Sequence, residues 1–219
     1  MHTLTLMKKH LLSLFTFIAI SLTVHAEDNW TSMFNGKDTT GWKSNDEVPG
    51  VFTVEDGKLK VSGGRAHLFY VGAAGDAKFK NFELKAKVMT TPGSNSGIYF
   101  HTDFQEKGWP EKGFECQVNS THTDIKKTGG LYAVKDVLNN APSKDGEWFD
   151  YFIKVEGKHV VIKINDQVTA DWTQPEDWDP ATALKNMAGR KLGEGTIAIQ
   201  GHDPKSTTFY MDLFIKALP

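Results

Sequence analysis

Three stretches of this chain place chemically capable side chains at strand spacing. In GFECQVNS, Phe114, Cys116 and Val118 fall on one side of a strand and Glu115, Gln117 and Asn119 on the other, because successive strand residues point to opposite faces. One carboxylate and two amides offer a set of acceptors and donors that suits recognition of hydroxyl groups. In GTIAIQGHD, Ile197 and Ile199 alternate with Thr196, Ala198, Gln200 and His202. In NSGIYFHTD, Ser96, Ile98 and Phe100 alternate with Gly97, Tyr99 and His101. Glu115, His101, His122 and His202 are therefore the acid–base candidates, and Gln117, Asn119, Tyr132, Gln200 and Tyr99 the groups that could hold a ligand.

A polar strand face is often just a wet one. The chain supplies a contrast in FELKAKV, where Phe82, Leu84, Ala86 and Val88 alternate with Glu83, Lys85 and Lys87. Long charged groups tolerate solvent and fix little geometry, so that face reads as solvated. The amide and imidazole faces read as functional. Glu115, Gln117, Gln200 and His202 should then share one face of one sheet.

The elements that must position these groups are strands. FTVEDGKLKVS is a hairpin with an Asp56-Gly57 turn, and DYFIKVEGKHVVIKIND is a second that turns at Gly157, with Asn165-Asp166 leading on into QVTADW. TTFYMDLFIKAL supplies the last strand. Many short strands separated by Gly, Asn, Asp and Pro turns predict an all-β sandwich or barrel. One stretch departs from this. Between Trp172 and Gly193, Asp179-Pro180 followed by ATALKNM predicts an N-cap, a proline at the first helical position and a short helix. It reads first as a surface excursion, and it could also overhang the binding face with Trp172 or Trp178 as a stacking surface for a sugar ring.

The chain opens with Lys8, Lys9 and His10, an apolar run from Leu11 to Val24, and Val24-His25-Ala26. That order predicts a signal peptide over 1–26, cleaved after Ala26, with residues 27–219 forming one exported domain, periplasmic or secreted. The run is shorter than the roughly 20 residues of a spanning helix, so no membrane partner is expected after cleavage. A single cysteine, Cys116, precludes an internal disulfide, and its place between Phe114 and Val118 predicts a buried inert thiol. The net charge of −2 and the lack of a basic run exclude nucleic acid as an expected partner. A divalent metal is possible given the histidines near Asp103, Asp124 and Asp203, but no spacing matches a recognised metal motif, so no ligand or other cofactor is assigned.

The motifs MFNGKDTTGWK, VEDGKL, NFEL, NSGIYF, GFECQV, TGGLY, GEWFDYFIKVEG, GTIAIQGHD and TTFYMDLFIKAL, in that order, resemble the DUF1080 family, also called the 3-keto-disaccharide hydrolase domain. The resemblance covers nearly all of residues 27–219. It implies a concanavalin A-like jelly roll, two antiparallel sheets with a concave carbohydrate-binding face, and breakdown of glycosides oxidised to a ketone at C3. This chain has His101 where many members carry arginine, and Asn119 where an aspartate often stands.

The residues bear on which chemistry fits. Ordinary glycosidases need two carboxylates about 5 to 9 Å apart. Sandwich-fold glucanases carry them on one strand as Glu-x-Asp-x-x-Glu, whereas here the strand reads Glu115-Cys116-Gln117-Val118-Asn119-Ser120. A second carboxylate would have to come from a loop, from Asp103 or Asp203. A 3-keto sugar removes that need, since its acidified C2 hydrogen can be taken by a single base and the C1 substituent expelled. Glu115 is the expected base. A non-catalytic carbohydrate-binding module on the same sandwich is the alternative from a different class, because fold does not fix function.

Overall fold

The computed structural model describes residues 29–45 and 47–219. The expected signal segment and the Ala26 cleavage point lie outside the described residues. Among these, fifteen strands follow in chain order: β1 Thr31–Ser32, β2 Trp42–Ser44, β3 Phe52–Glu55, β4 Lys58–Ser62, β5 Ala66–Tyr70, β6 Phe82–Thr90, β7 Ser96–Thr102 and β8 Phe114–Val118, then β9 Lys126–Leu131, β10 Lys135–Leu138, β11 Phe149–Glu156, β12 His159–Ile164, β13 Gln167–Thr173, β14 Thr196–Gly201 and β15 Thr207–Ala217. One short helix, α1 Pro180–Ala183, lies between β13 and β14.

The strands form an all-β sandwich of two antiparallel sheets. One is ordered β13-β12-β11-β6-β15-β4-β3 with β1 against β15, and the other β10-β9-β8-β7-β14-β5-β2. Between them lies the core that the alternation predicts: Phe82, Leu84 and Val88 from one sheet, and Ile98, Phe100, Phe114, Cys116, Val118, Ile197 and Ile199 from the other. Cys116 is fully buried, and burial drives its thiol far above the usual range, so it carries no thiolate chemistry.

Local chemistry fixes the turns. Asp56 and Gly57 take φ of 48° and 77° between β3 and β4, and Asn165 and Asp166 take 47° and 65° between β12 and β13. Positive φ at both central residues twists a hairpin in the sense its strands need. Asp179 caps α1 by accepting from the Ala181 N–H, with Pro180 as its first residue. The helix is shorter than ATALKNM suggests, because the chain is already extended at Leu184.

Candidate active site

The outer face of the seven-stranded sheet has a register that brings the alternating polar residues into rows. Gly97 pairs with Gln117 on one side and Gln200 on the other, and Gln200 pairs with His67. The next row runs from Glu115 through Tyr99 to Ala198 and Phe69. Rows rather than scattered groups arise because antiparallel partners project to the same face.

Two loops turn this face into a pocket of about 350 Å³, within the range of small-molecule sites. Its floor is Tyr99, Glu115, Gln117 and Gln200. Tyr132 and His202 stand at its sides, Trp109, Pro110 and Glu111 come from the β7–β8 loop, and Asn186, Met187 and Arg190 come from the segment after α1. Asp124 completes the lining. The β7–β8 loop is anchored where the Gly108 N–H donates to Glu47 Oε2 at 2.8 Å.

Glu115 is the most constrained group on the floor. The Tyr99 hydroxyl donates to its Oε2 at 2.8 Å, and Gln200 Nε2 donates to its Oε1 at 2.8 Å. The Arg190 guanidinium lies 3.6 Å from Oε2. Burial raises this carboxyl above the ordinary glutamate range, and Arg190, Tyr99 and Gln200 each draw it partway back. A carboxylate poised in this way is closer to neutrality than a solvated one, as a general base should be.

Sequence reasoning did not single out Arg190. It is one of two arginines in the chain, and it is 5 % exposed. Its guanidinium donates to the Gly113 carbonyl at 3.1 Å and lies 5.3 Å from the Tyr99 ring centre. Trp178 Nε1 donates to the Arg190 carbonyl at 2.8 Å, and Trp178 packs on Trp172, which packs on Phe114. The two tryptophans therefore buttress the segment that delivers Arg190, and neither lines the pocket as a stacking surface. Trp109, also unanticipated, is the aromatic ring on the rim. It is 41 % exposed, with one side against His202 at 5.3 Å and its edge toward His67 at 5.7 Å.

Two expected members of the site lie elsewhere. His101 has a φ of 55°, and the β7–β14 register shifts beside it. That conformation breaks the strand alternation, so its ring packs against Phe82 and Phe100. Its Nε2 donates to the Lys80 carbonyl at 2.8 Å, and its Nδ1 accepts from the Gly193 N–H. His101 is thus a buried tie between loops, remote from the floor. Asn119 is fully buried just past β8, where its amide donates to the carbonyls of Asp124 and Lys126. It shapes the loop that carries His122. Of the loop carboxylates, Asp103 pairs with Lys112, while Asp203 binds His202.

His122 comes to the site because its loop folds back toward β14, bringing its ring 5.4 Å from that of His202. Burial and the neighbouring His202 hold its pKa below the usual histidine value. His202 Nδ1 donates to Asp203 Oδ2 at 2.9 Å, and His122 Nε2 is 3.7 Å from the same oxygen. Ligand-capable atoms of His122, His202 and Asp203 lie within 4.8 Å of one another, a proximity that no spacing in the sequence announced.

Residues 29–216 match the family model described as the 3-keto-alpha-glucoside-1,2-lyase-like domain. A curated 3-keto-disaccharide hydrolase from Bacteroides thetaiotaomicron is 29% identical, over 80% of this chain and 74% of that protein. A solved structure from Parabacteroides distasonis, assigned as a glycosyl hydrolase, superposes with a TM-score of 0.73 at 24% identity, covering 87% of this chain and 94% of that one. A carbohydrate-binding module from Bacillus subtilis superposes at 0.57 with 13% identity, covering 81% and 96%. The last two likenesses are of fold.

Proposed function

We propose, from the premise that this chain belongs to the 3-keto-alpha-glucoside-1,2-lyase-like family, that it cleaves glycosides already oxidised at C3. The observation that carries this reading is the single carboxylate on the pocket floor, Glu115, shielded from water and bound by Tyr99, Gln200 and Arg190.

In this reading Glu115 takes the proton from C2, which the adjacent ketone has made acidic. The electron pair moves into the C2–C3 bond and places negative charge on the C3 oxygen. His202, held through Nδ1 by Asp203 at the pocket wall, steadies that charge as an imidazolium whose Nε2–H is the donor, since donors aimed at developing charge act most strongly in a shielded site. Collapse of the enolate breaks the C1–O bond, and the departing oxygen takes its proton from the acid form of Glu115. Water then adds across C1 and C2, so the net result is hydrolysis. Gln117, Tyr132 and Asn186, which line the same pocket, are in this reading the groups that hold the sugar hydroxyls. A leader over 1–26 would deliver the enzyme outside the cytoplasm.

The deciding experiment compares the wild type with Glu115→Gln on a 3-keto-glucoside, following alcohol release. The variant keeps the shape but cannot accept the proton, and turnover should fall about a hundred- to ten-thousandfold while binding persists. In deuterated water the product should carry deuterium at C2. Equal turnover by the variant removes Glu115 from the role. Because Asp124 and Glu111 also line the pocket, a two-carboxylate hydrolysis is the competing chemistry, and equally fast cleavage of the unoxidised glycoside would establish it. Binding without any turnover would leave a carbohydrate-binding module.

A further inference from the structure

Beside the floor, four polar groups from three separated loops meet at one point. Asn95 precedes β7, His122 lies between β8 and β9, and His202 and Asp203 follow β14. The amide nitrogen of Asn95 stands 3.4 Å from His122 Nδ1 and 3.3 Å from His202 Nε2. The amide oxygen is buried and has no hydrogen-bond partner, on a residue only 2 % exposed. A buried acceptor left unpaired is costly and calls for a physical reason.

The carboxylate fixes which nitrogens are free. Asp203 Oδ2 receives the Nδ1–H of His202 at 2.9 Å and faces Nε2 of His122 at 3.7 Å, and Ser206 holds the same oxygen at 2.5 Å. In neutral imidazole one nitrogen carries the proton and the other a lone pair. With the His202 proton directed at Asp203 and His122 Nδ1 accepting from the Asp124 N–H at 3.1 Å, the lone pairs of His202 Nε2 and His122 Nδ1 both face the Asn95 amide. A half-turn of that amide, whose oxygen and nitrogen occupy equal space, brings the unpaired oxygen to the same point. Three donor atoms then stand at the corners of one triangle.

We propose that Asn95 Oδ1, His122 Nδ1 and His202 Nε2 bind a divalent first-row transition ion, with Asp203 orienting both imidazoles. The two edges that meet at the Asn95 amide, 3.4 and 3.3 Å, fit: a tetrahedral ion with bonds of roughly 2.0–2.1 Å has ligand-to-ligand edges of about 3.3–3.4 Å. A carboxylate behind each ligating imidazole is the usual outer support of such sites. Imidazole with one amide oxygen suits Zn²⁺, Co²⁺ or Mn²⁺ better than Mg²⁺ or Ca²⁺. The Asp124 N–H, which donates to His122 Nδ1 at 3.1 Å, has to yield that lone pair to the ion. The fourth position is left for water or a substrate oxygen. His202 and Asp124 both line the pocket, so the ion would sit at its wall. Resting here on the function proposed above, such an ion would hold the enolate oxygen where that mechanism otherwise uses the His202 imidazole.

The test is ion binding in the absence of sugar, so its outcome is independent of whether the 3-keto chemistry holds. The tag-free chain is stripped with chelator and titrated calorimetrically with Zn²⁺ and Mn²⁺, and with Co²⁺ followed by its visible absorption. One ion per chain is expected, with the intense cobalt bands of a four-coordinate site. His202→Ala and His122→Ala should each weaken binding about a hundredfold or more, and Asp203→Asn about tenfold. Asn95→Asp should retain it, and Asn95→Leu should lose it. His159→Ala serves as a control, since His159 is exposed and pairs with Asp171 far from this cluster in sequence. Unchanged circular dichroism would establish that the variants fold. Failure of all three ions to bind stoichiometrically overturns the proposal, as does undiminished binding by the His122→Ala/His202→Ala double variant.

Discussion

Gly97 stands directly under the Glu115 carboxylate: a methyl group at that position would lie 2.8 Å from Oε1 and 3.1 Å from Cγ. The glycine is the space in which the carboxylate sits, between Gln117 and Gln200 in the row that crosses the sheet. Gly97→Ala should therefore displace Glu115 without removing it. Overpacking of this kind costs about 1–3 kcal/mol, and a misplacement near 1 Å can cost about a hundredfold in rate. Turnover on a 3-keto-glucoside and urea unfolding read the two effects separately. Full activity in the alanine variant would show that the carboxylate tolerates displacement.

Arg190 offers a second handle on the same carboxylate. Its charge lowers the Glu115 pKa against the raising effect of burial, so Arg190→Met should let that pKa rise. A base works only when deprotonated, and the acidic limb of the kcat/KM profile should therefore move to higher pH. Activity near neutrality should also drop about a hundredfold if the guanidinium helps stabilise developing charge. A profile with an unmoved acidic limb would mean that Glu115 is not the titrating base.

Much of this arrangement was legible in the sequence because strand alternation is a strict rule. The apolar set of Phe114, Cys116 and Val118 and the polar pair Glu115 and Gln117 fall on the faces that their order dictates. His101 escaped the rule through a left-handed backbone that no residue type at that position announces. Asn119 lies one residue past the end of β8, where alternation no longer applies. Arg190 and Trp109 reach the pocket from loops, and loop paths are set by tertiary packing such as the Trp178–Trp172–Phe114 stack. The junction of Asn95, His122 and His202 unites positions far apart in the chain, which periodicity within a single strand does not reveal.

We further propose that the mature protein begins at Glu27. Lys8, Lys9, the apolar run to Val24 and Ala26 have the order of an export signal. Intact-mass measurement of protein recovered from the host envelope should give a chain lacking residues 1–26. A mass that retains them would refute export by cleavage.

Acid should destabilise this fold through two histidines that play no part in the proposed chemistry. His67 is fully buried with neither ring nitrogen hydrogen-bonded, and burial pushes its pKa down to about 3. Burial likewise pushes His101 down to about 4. In the unfolded chain both titrate near about 6.5. Their folded-state values are the lower ones, so the unfolded chain takes up protons first as the pH falls. The stability they allow is complete above the unfolded value. It declines from pH 6.5 toward the folded values, by up to about 1.4 kcal/mol per pH unit for each histidine. Glu115 acts in the opposite sense, because its raised pKa lets the folded state bind a proton more tightly. The informative quantity is therefore a difference between variants. His67→Phe keeps an aromatic ring against Phe69, Tyr99 and Trp109 and removes one titrating group. Urea unfolding between pH 4 and pH 6.5 should show a shallower loss of stability for the variant, so that it gains on the wild type as the pH falls toward 4. Parallel pH dependence would mean that His67 is protonated in the folded state and that its pocket is wetter than its burial indicates.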